Sequence, residues 1–495
     1  TKKFAYNSVG QLIKIEDEKG HITAYKYSPN GNLISVTDPM GEEATYSYDK
    51  LGRIIEINHN GSINYERDEL GYITKITDQL GQTEEYTYDL IGNVIEKKDR
   101  DGIKTRYHYD SVNNLDEIQY QDASTVKLSY NPLKQLTDIT DWMGDTHIEL
   151  DSHGRAIAIT NHSGEKVAYE WGTMGERRSI TYPDGKKVEY SYNDNHRLES
   201  LITGEEKIEY RYDQIGRLTD KIIPAAAIET KYSYNQAGKL ESLRHKVKGA
   251  IREEYIYSYD EVGNKTAIEK RRADLQEENG IYNYSYDNLD RLVSVRKDGS
   301  LLREYSYDAY GNRIGKKDYE YISQEPNNAN LKETKYIYNK KNQLISIRDE
   351  EEEQNLSYDR RGNLISIEAG ENLLKTYDYN SQNMLEKVTD YSKGKTAAYT
   401  YNGIGQRVGQ EIYAGENLQP EEKIEYILDL TRSYNNLLVR KEDGRSQTYL
   451  WDSNVIGAIS KAEQSNTDTS RLENCNYYLQ DELGSTINYL DPEGE

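Results

Sequence analysis

An aspartate that returns at a fixed spacing is the first feature of this chain that could do chemistry. Asp49, Asp89 and Asp213 each follow a Tyr-x-Tyr pair, as in Tyr46-Ser47-Tyr48-Asp49-Lys50-Leu51-Gly52-Arg53-Ile54. Carboxylates on a regular lattice could act as general acids and bases, or as oxygen ligands for calcium. Comparison among the repeats argues against both. Aligned on the second tyrosine, from Tyr6 to Tyr401, the chain holds 19 repeats, and the next residue is Asp in ten of them and Asn in seven. Asn keeps the hydrogen bond to backbone but cannot serve as a base and is a weaker cation ligand. The position is therefore expected to shape a turn: its side-chain oxygen accepts a backbone N–H two residues on, and Gly52 supplies the positive φ. The eight histidines are scattered without metal-ligand spacing, and the lone Cys475 lies in no known nucleophile motif. Neither a G-x-S-x-G nor a P-loop nor an H-E-x-x-H occurs. No catalytic residue, cofactor or metal is expected, and the chain is not expected to be an enzyme.

The elements that must position these residues follow from the same phrase. Tyr46 and Tyr48 lie two apart on one face of an extended strand, where tyrosine packs well on a half-buried pleat. Arg53 to Ile57 reads as the returning strand, with Ile55 and Ile57 on one face. A second turn follows about ten residues later, as in Asp38-Pro39-Met40-Gly41, Asp78-Gln79-Leu80-Gly81 and Asp99-Arg100-Asp101-Gly102. Tyr86, Tyr88, Asp89 and Gly92 repeat the phrase, as do Tyr210, Tyr212, Asp213, Gly216 and Arg217. Each repeat is thus one antiparallel hairpin, and the predicted fold class is all-β, with tandem hairpins forming one long antiparallel sheet. Two strands per repeat give about 38 strands, and at roughly 4.8 Å each the sheet is on the order of 180 Å wide. Open sheets curl or split beyond about ten strands, so this one is expected to wind into a hollow spiral shell.

Composition narrows the function classes. Mean hydropathy is −0.95, and the apolar share is 35%, so there is little material for thick packed layers. Tyr occurs 47 times and Phe once, which places the aromatic rings at a boundary where the hydroxyl is wet or hydrogen-bonded. Net charge is −23, which argues against nucleic acid as a ligand and favours a basic partner. No apolar run approaches membrane-spanning length. Thr1 in place of Met suggests a segment of something longer.

The register is regular to about residue 150 but wears down between about 128 and 180, where Trp171-Gly172 stands in place of Tyr-Asp; degenerate hairpins are expected there. The polar insertions Arg271–Asn279 and Ser323–Asn328 and the acidic run Asp349–Glu353 are expected at turn tips. After Tyr401 the pattern becomes individual, which suggests a segment that caps the array. Ser460–Asn474 reads as a loop.

With these residues in view, the chain resembles the YD-repeat, or Rhs, family over essentially its full length. The repeated YDxxGR phrase carries the likeness for residues 1–425. DLTRSYNNLL at 429–438 and YYLQDELGSTINYLDPEG at 477–494 carry it for residues 426–495, which resemble the beginning of an Rhs-associated core cut short at Glu495. The resemblance implies a secreted or cell-surface bacterial protein whose sheet forms a shell around a toxic C-terminal domain. Its partners would be that covalently linked cargo and a delivery or cell-surface component. Asp491-Pro492-Glu493-Gly494 looks like an ordinary turn inside the core, so self-cleavage is not carried over to Asp491. A second function class stays open: an adhesion or carbohydrate-binding module whose exposed tyrosines stack on sugars. Tyr319-Glu320-Tyr321 is its one modest candidate off the repeat register.

Overall fold

The computed structural model describes residues 1–204, 206–321, 329–415, 417–432, 434–462 and 475–491. Among them, 44 strands lie in one antiparallel sheet, and the tandem-hairpin reading is borne out. No helix among the described residues is long and apolar enough to cross a membrane. Each aligned tyrosine position ends a strand: Tyr48 closes Glu43–Tyr48, Trp171 closes Lys166–Trp171, and Tyr401 closes Lys395–Tyr401. The pairing slips by one residue at these ends. Ser47 lies opposite Glu56 and Tyr48 opposite Ile54, so Ile55 takes a β-bulge and is not the face-mate of Ile57.

The strand count exceeds the expected 38 because the segment after residue 421 adds hairpins of its own. Its strands are Glu422–Asp429, Asn436–Glu442, Arg445–Trp451, Val455–Ala462, Cys475–Gln480 and Thr486–Leu490. The acidic run forms the expected turn, closed by the Asp349 N–H on the Glu352 carbonyl at 3.0 Å. Arg271–Asn279 also joins two strands, but Arg272 is 8% exposed and paired with Glu253, so this insertion is not wholly a surface loop. The Ser323–Asn328 insertion, most of the Ser460–Asn474 loop and Pro492–Gly494 lie outside the described residues.

The chain divides into two compact units. The first comprises Thr1–Arg106, Tyr257–Glu269 and Gly280–Tyr377; the second comprises Tyr107–Ile256, Lys270–Asn279 and Asp378–Glu495. In the first unit Tyr257 and Ala369 are the buried hydrophobic residues among those described. The core sits in the second. There Ile159 pairs with Val167, Tyr169 with Ile180, Ile180 with Val188, Tyr190 with Leu201 and Leu201 with Ile208, which puts them all on one face. Ile427, Leu438, Val439, Leu450, Cys475, Tyr477 and Leu490 of the late hairpins pack with that face in one buried cluster. The region expected to hold degenerate hairpins is thus the one that gains a second layer.

Candidate functional site

The Tyr-Asp turn is built from its own residues. Asp49 Oδ1 accepts the N–H groups of Leu51 at 2.8 Å and Arg53 at 2.9 Å, and Arg53 Nε donates to Asp49 Oδ2 at 2.6 Å. Asp213 does the same with Ile215 and Arg217, and Asp89 with Ile91 and Asn93. Gly52 closes its turn at φ +79°, in the left-handed region that a side chain disfavours. The Arg53 and Arg217 amides, aided by their guanidinium groups, hold the Asp49 and Asp213 carboxyls below the usual range. Where Asn replaces Asp the bonds persist: Asn131 Oδ1 accepts from Leu133 and Gln135. A carboxylate already engaged by its own turn and kept ionised is a poor general acid.

The second tyrosine stitches neighbouring hairpins together. Tyr48 Oη donates to the Leu33 carbonyl at 2.7 Å, Tyr88 to Ile73 at 2.8 Å and Tyr212 to Leu198 at 2.8 Å. The ladder between the strands Leu33–Thr37 and Glu43–Tyr48 starts only at Ser35 and Thr45, and the hydroxyl serves the carbonyl two residues earlier. Phenylalanine could not make this bond, which accounts for Tyr and not Phe at the second place. Tryptophan can. Trp171 Nε1 donates to the Ala156 carbonyl and Trp451 Nε1 to the Leu437 carbonyl, both at 2.7 Å.

The second unit carries the concentrated chemistry, where the late hairpins meet the covered face. Arg177 Nη1 lies 2.7 Å from Asp429 Oδ2, and the two are 4% and 0% exposed. Tyr169 Oη donates to Asp429 Oδ1 at 3.1 Å, and the Thr431 hydroxyl donates to it at 2.6 Å. Burial acts to raise the Asp429 carboxyl, but the Arg177 guanidinium and the Thr431 donors outweigh it and hold it low. Lys221 Nζ and Tyr210 Oη both reach Asp452 Oδ2, at 2.9 and 2.7 Å. Arg272 Nη2 meets Glu253 Oε1 at 2.9 Å and the Ile487 carbonyl at 3.0 Å. His245 bridges the Thr230 hydroxyl and the Gln480 carbonyl. A cavity of about 310 Å³ remains beside these pairs, lined by Tyr190, Tyr212, Tyr232, Arg432 and Asn454 among others. Cys475 is fully buried in the cluster, and burial pushes its thiol up to about 12, a packing role and not a nucleophilic one. Among the described residues no group of three or more His, Cys, Asp and Glu side chains could hold a metal ion.

A family model of the teneurin YD-shell matches residues 1–116, and a model of the RHS repeat matches residues 151–187. The chain thus carries repeats of the YD, or Rhs, type in those residues. Over 186 residues it is 24% identical to double-stranded DNA deaminase toxin A of Burkholderia cenocepacia, spanning 37% of this chain and 11% of that protein. Over 252 residues it is 25% identical to Teneurin-1 of Mus musculus, spanning 47% and 8%. Over 198 residues it is 26% identical to the tRNA3(Ser)-specific nuclease WapA of Bacillus spizizenii, spanning 37% and 8%. The matches thus cover about a tenth of these relatives' own length. The whole chain superposes on part of the crystal structure of TcdB2-TccC3-Cdc42, with a TM-score of 0.67 at 13% identity, covering 30% of that chain. It also superposes on the Photorhabdus luminescens Tc holotoxin pore, with a TM-score of 0.67 at 13% identity and 29% coverage. At that identity the likeness shows the fold.

Among these YD repeats the motif residues read from sequence are spread through the array, mostly as turn and stitch; Tyr210 enters the buried pairs of the second unit, and Tyr86 donates to the buried Glu84 in the first. Asp429, Asp452, Arg177 and Lys221 were missed. A signal for Arg177 exists. Arg177 stands where the motif has an aliphatic residue such as Ile54, and Gly172 stands where it has Asp. Glu176 then supplies the turn carboxylate, accepting the Met174 N–H at 3.1 Å, and Arg177 points to the core from the aliphatic place. Of the off-register tyrosines, Tyr319 donates its hydroxyl to Glu304 at 2.6 Å, and the side chain of Tyr321 lies outside what the structure describes.

Proposed function

We propose that this YD-repeat sheet is the wall of a container that holds a covalently attached C-terminal toxin domain until delivery, at or beyond the cell surface, and does no catalysis of its own. The observation that carries this reading is the superposition of the whole chain on Tc toxin structures. The curated relatives add support. A DNA deaminase toxin, a tRNA nuclease and a teneurin are named for different properties, yet each shares repeats with this chain. What they share is therefore a poor candidate for what distinguishes them. The use of residues agrees, since the recurring tyrosines and aspartates are consumed in stitches and turns. A tethered cargo is held at high effective concentration, so weak contacts with the wall suffice, and a net charge of −23 favours a basic one.

The test is limited proteolysis of the natural full-length protein. The downstream domain is expected to be protected and inactive while the wall is intact, and released when the wall is opened. A domain that is cleaved or active at once beside an intact wall overturns the container reading. An activity of purified residues 1–495 that maps to one side chain overturns the second half of the proposal.

A further inference from the structure

The strands Lys187–Tyr192, Glu206–Tyr212 and Ile228–Tyr234 belong to the second compact unit, and the cavity of about 310 Å³ sits between their covered face and the turns of the late hairpins. Tyr190, Tyr192, Tyr210, Tyr212 and Tyr232 all line it. Three of them spend their hydroxyls on the protein. Tyr190 donates to the Trp451 carbonyl at 3.1 Å, Tyr210 to Asp452 Oδ2 at 2.7 Å and Tyr212 to the Leu198 carbonyl at 2.8 Å. Among the described residues nothing accepts the hydroxyl of Tyr192 or of Tyr232.

The repeat register makes both omissions notable. Trp171 and Tyr212, the stitch residues on either side of Tyr192, each reach the carbonyl that begins a strand of the hairpin before. The carbonyl due to Tyr192 is that of Arg177, which begins Arg177–Thr181, and the bond is not made. Tyr169, Tyr190 and Tyr210 hold the first place of the motif and donate to the late hairpins, whereas Tyr232 in the same place does not. Burial raises both open hydroxyls above the ordinary tyrosine range, so each stays protonated and able to donate.

Charge around the cavity is uneven. Lys221 is matched by Asp452, and Arg177 by Asp429. Arg432 is exposed and has no carboxylate partner among the described residues, and its guanidinium acts on the Tyr192 hydroxyl against the effect of burial. One uncompensated cation and two open donors, set in tyrosine walls with Leu198 and Leu218, suit an acceptor of single negative charge carried on a ring. The volume stands at the low end of the roughly 300–1,000 Å³ of small-molecule sites, enough for one ring and its substituents.

We propose that this cavity binds a small ring-bearing carboxylate, of the uronic-acid or aromatic-acid class. Arg432 takes the carboxylate through its planar fork, the Tyr192 and Tyr232 hydroxyls donate to the ligand's oxygens, and the tyrosine rings hold its body. A phosphate ester suits the site less well, because its second charge would meet a lysine already committed to Asp452. The proposal rests on the chemistry of the cavity and is independent of the container reading.

The experiment is calorimetric titration of purified residues 1–495 with glucuronate and with benzoate, each beside its neutral counterpart, glucose and benzyl alcohol, and with phenyl phosphate. At least one carboxylate is expected to saturate with a Kd between about 10 μM and 1 mM, tighter than its neutral counterpart by about tenfold or more. The tighter of the two assigns the ring as sugar or aromatic. Arg432→Gln should weaken binding by about tenfold or more and keep Tm within about 2 °C, because this side chain holds no ion pair in the fold. Tyr232→Phe keeps the ring and should weaken binding about fivefold, whereas Tyr212→Phe, whose hydroxyl is already given to Leu198, should change it by less than about twofold. Saturation by neither carboxylate, equal binding of the neutral counterparts, or tighter binding of phenyl phosphate than of both carboxylates overturns the proposal. So does an affinity that survives Arg432→Gln, or equal losses from Tyr232→Phe and Tyr212→Phe.

Discussion

Tyr46 and Tyr210 hold the same place in the same motif, and they live in different surroundings. Tyr46 lies opposite Ile57 on a face of the first unit that stays half-exposed. Tyr210 lies opposite Lys221, is 6% exposed and donates to Asp452 from the late hairpins. Contacts between residues far apart in sequence differ accordingly. In the first unit they are made by charged and polar tips such as Lys19, Asp78 and Arg361, with two buried hydrophobic residues among those described. In the second they are made by an apolar face crossed by buried ion pairs. The motif therefore specifies strand, turn and stitch, and whether a second layer covers the hairpin is decided by residues that depart from it.

The largest test of this contrast is to strand a charge. Asp429→Ala leaves Arg177 buried and unpaired and should cost about 3–5 kcal/mol, read as an early transition in denaturant by Trp171 fluorescence, since that ring lies 5.6 Å from the guanidinium. Adding Arg177→Met should restore most of the loss. Glu66→Ala in the first unit, which breaks the exposed pair with Lys75, should cost no more than about 1 kcal/mol. If the two single variants prove equal, the contrast fails.

Cavity formation is next. Leu450 is fully buried, and Leu450→Ala should cost about 2–5 kcal/mol, whereas Ile57→Ala on the half-exposed face should cost about 1 kcal/mol. Hydrogen exchange of each strand checks both. The covered face should also be the acid-sensitive one. Burial lowers His245 to about 4 from 6.5, so the unfolded chain takes up a proton that the folded chain refuses. Its contribution is complete above about pH 6.5 and falls as pH drops towards about 4, by about 3 kcal/mol in all. His245→Gln should flatten that part of the stability profile, and an unchanged profile would remove His245 from the account. The smallest effect should ignore the contrast altogether. Tyr48→Phe and Tyr212→Phe each delete one stitch, at 2.7 and 2.8 Å, and should each cost about 1 kcal/mol by thermal melting. Unequal costs would show that the stitch depends on the covering layer.

The repeated hairpin was legible because its parts are local. Asp49 and Gly52 fix a turn within four residues, and Tyr48 needs only the hairpin before it, so a sequence window of one or two repeats contains all the information. The role of the tyrosine hydroxyl was anticipated in kind, though the Leu33 carbonyl as its partner was not. What was not legible is the pairing of Arg177 with Asp429 or of Lys221 with Asp452, because these partners are more than 200 residues apart in the chain and no local rule links them. Residues 426–495 read as an individual cap, yet they keep the stitch through Trp451. Departures from the repeat there include Asp429 and Asp452, which pair with the covered face, and the hairpin itself is kept. The expected shared face of Ile55 and Ile57 failed for a local reason, since a bulge cannot be read from simple alternation.

The stitch has a consequence for how such a gene can change length. Each hairpin closes its own turn and hands one carbonyl to the tyrosine of the next, so the junction is the same wherever it falls. Recombination that adds or deletes one repeat of about 21 residues in the early array would recreate the stitch at the new junction, and tip pairs such as Lys341 with Asp78 would move by one repeat to another joining turn. The same event between Trp171 and Lys221 would move Arg177 and Lys221 out of step with Asp429 and Asp452. Growth and shrinkage by whole repeats should therefore cost less in the stretch held by exchangeable tips than in the one held by buried ion pairs.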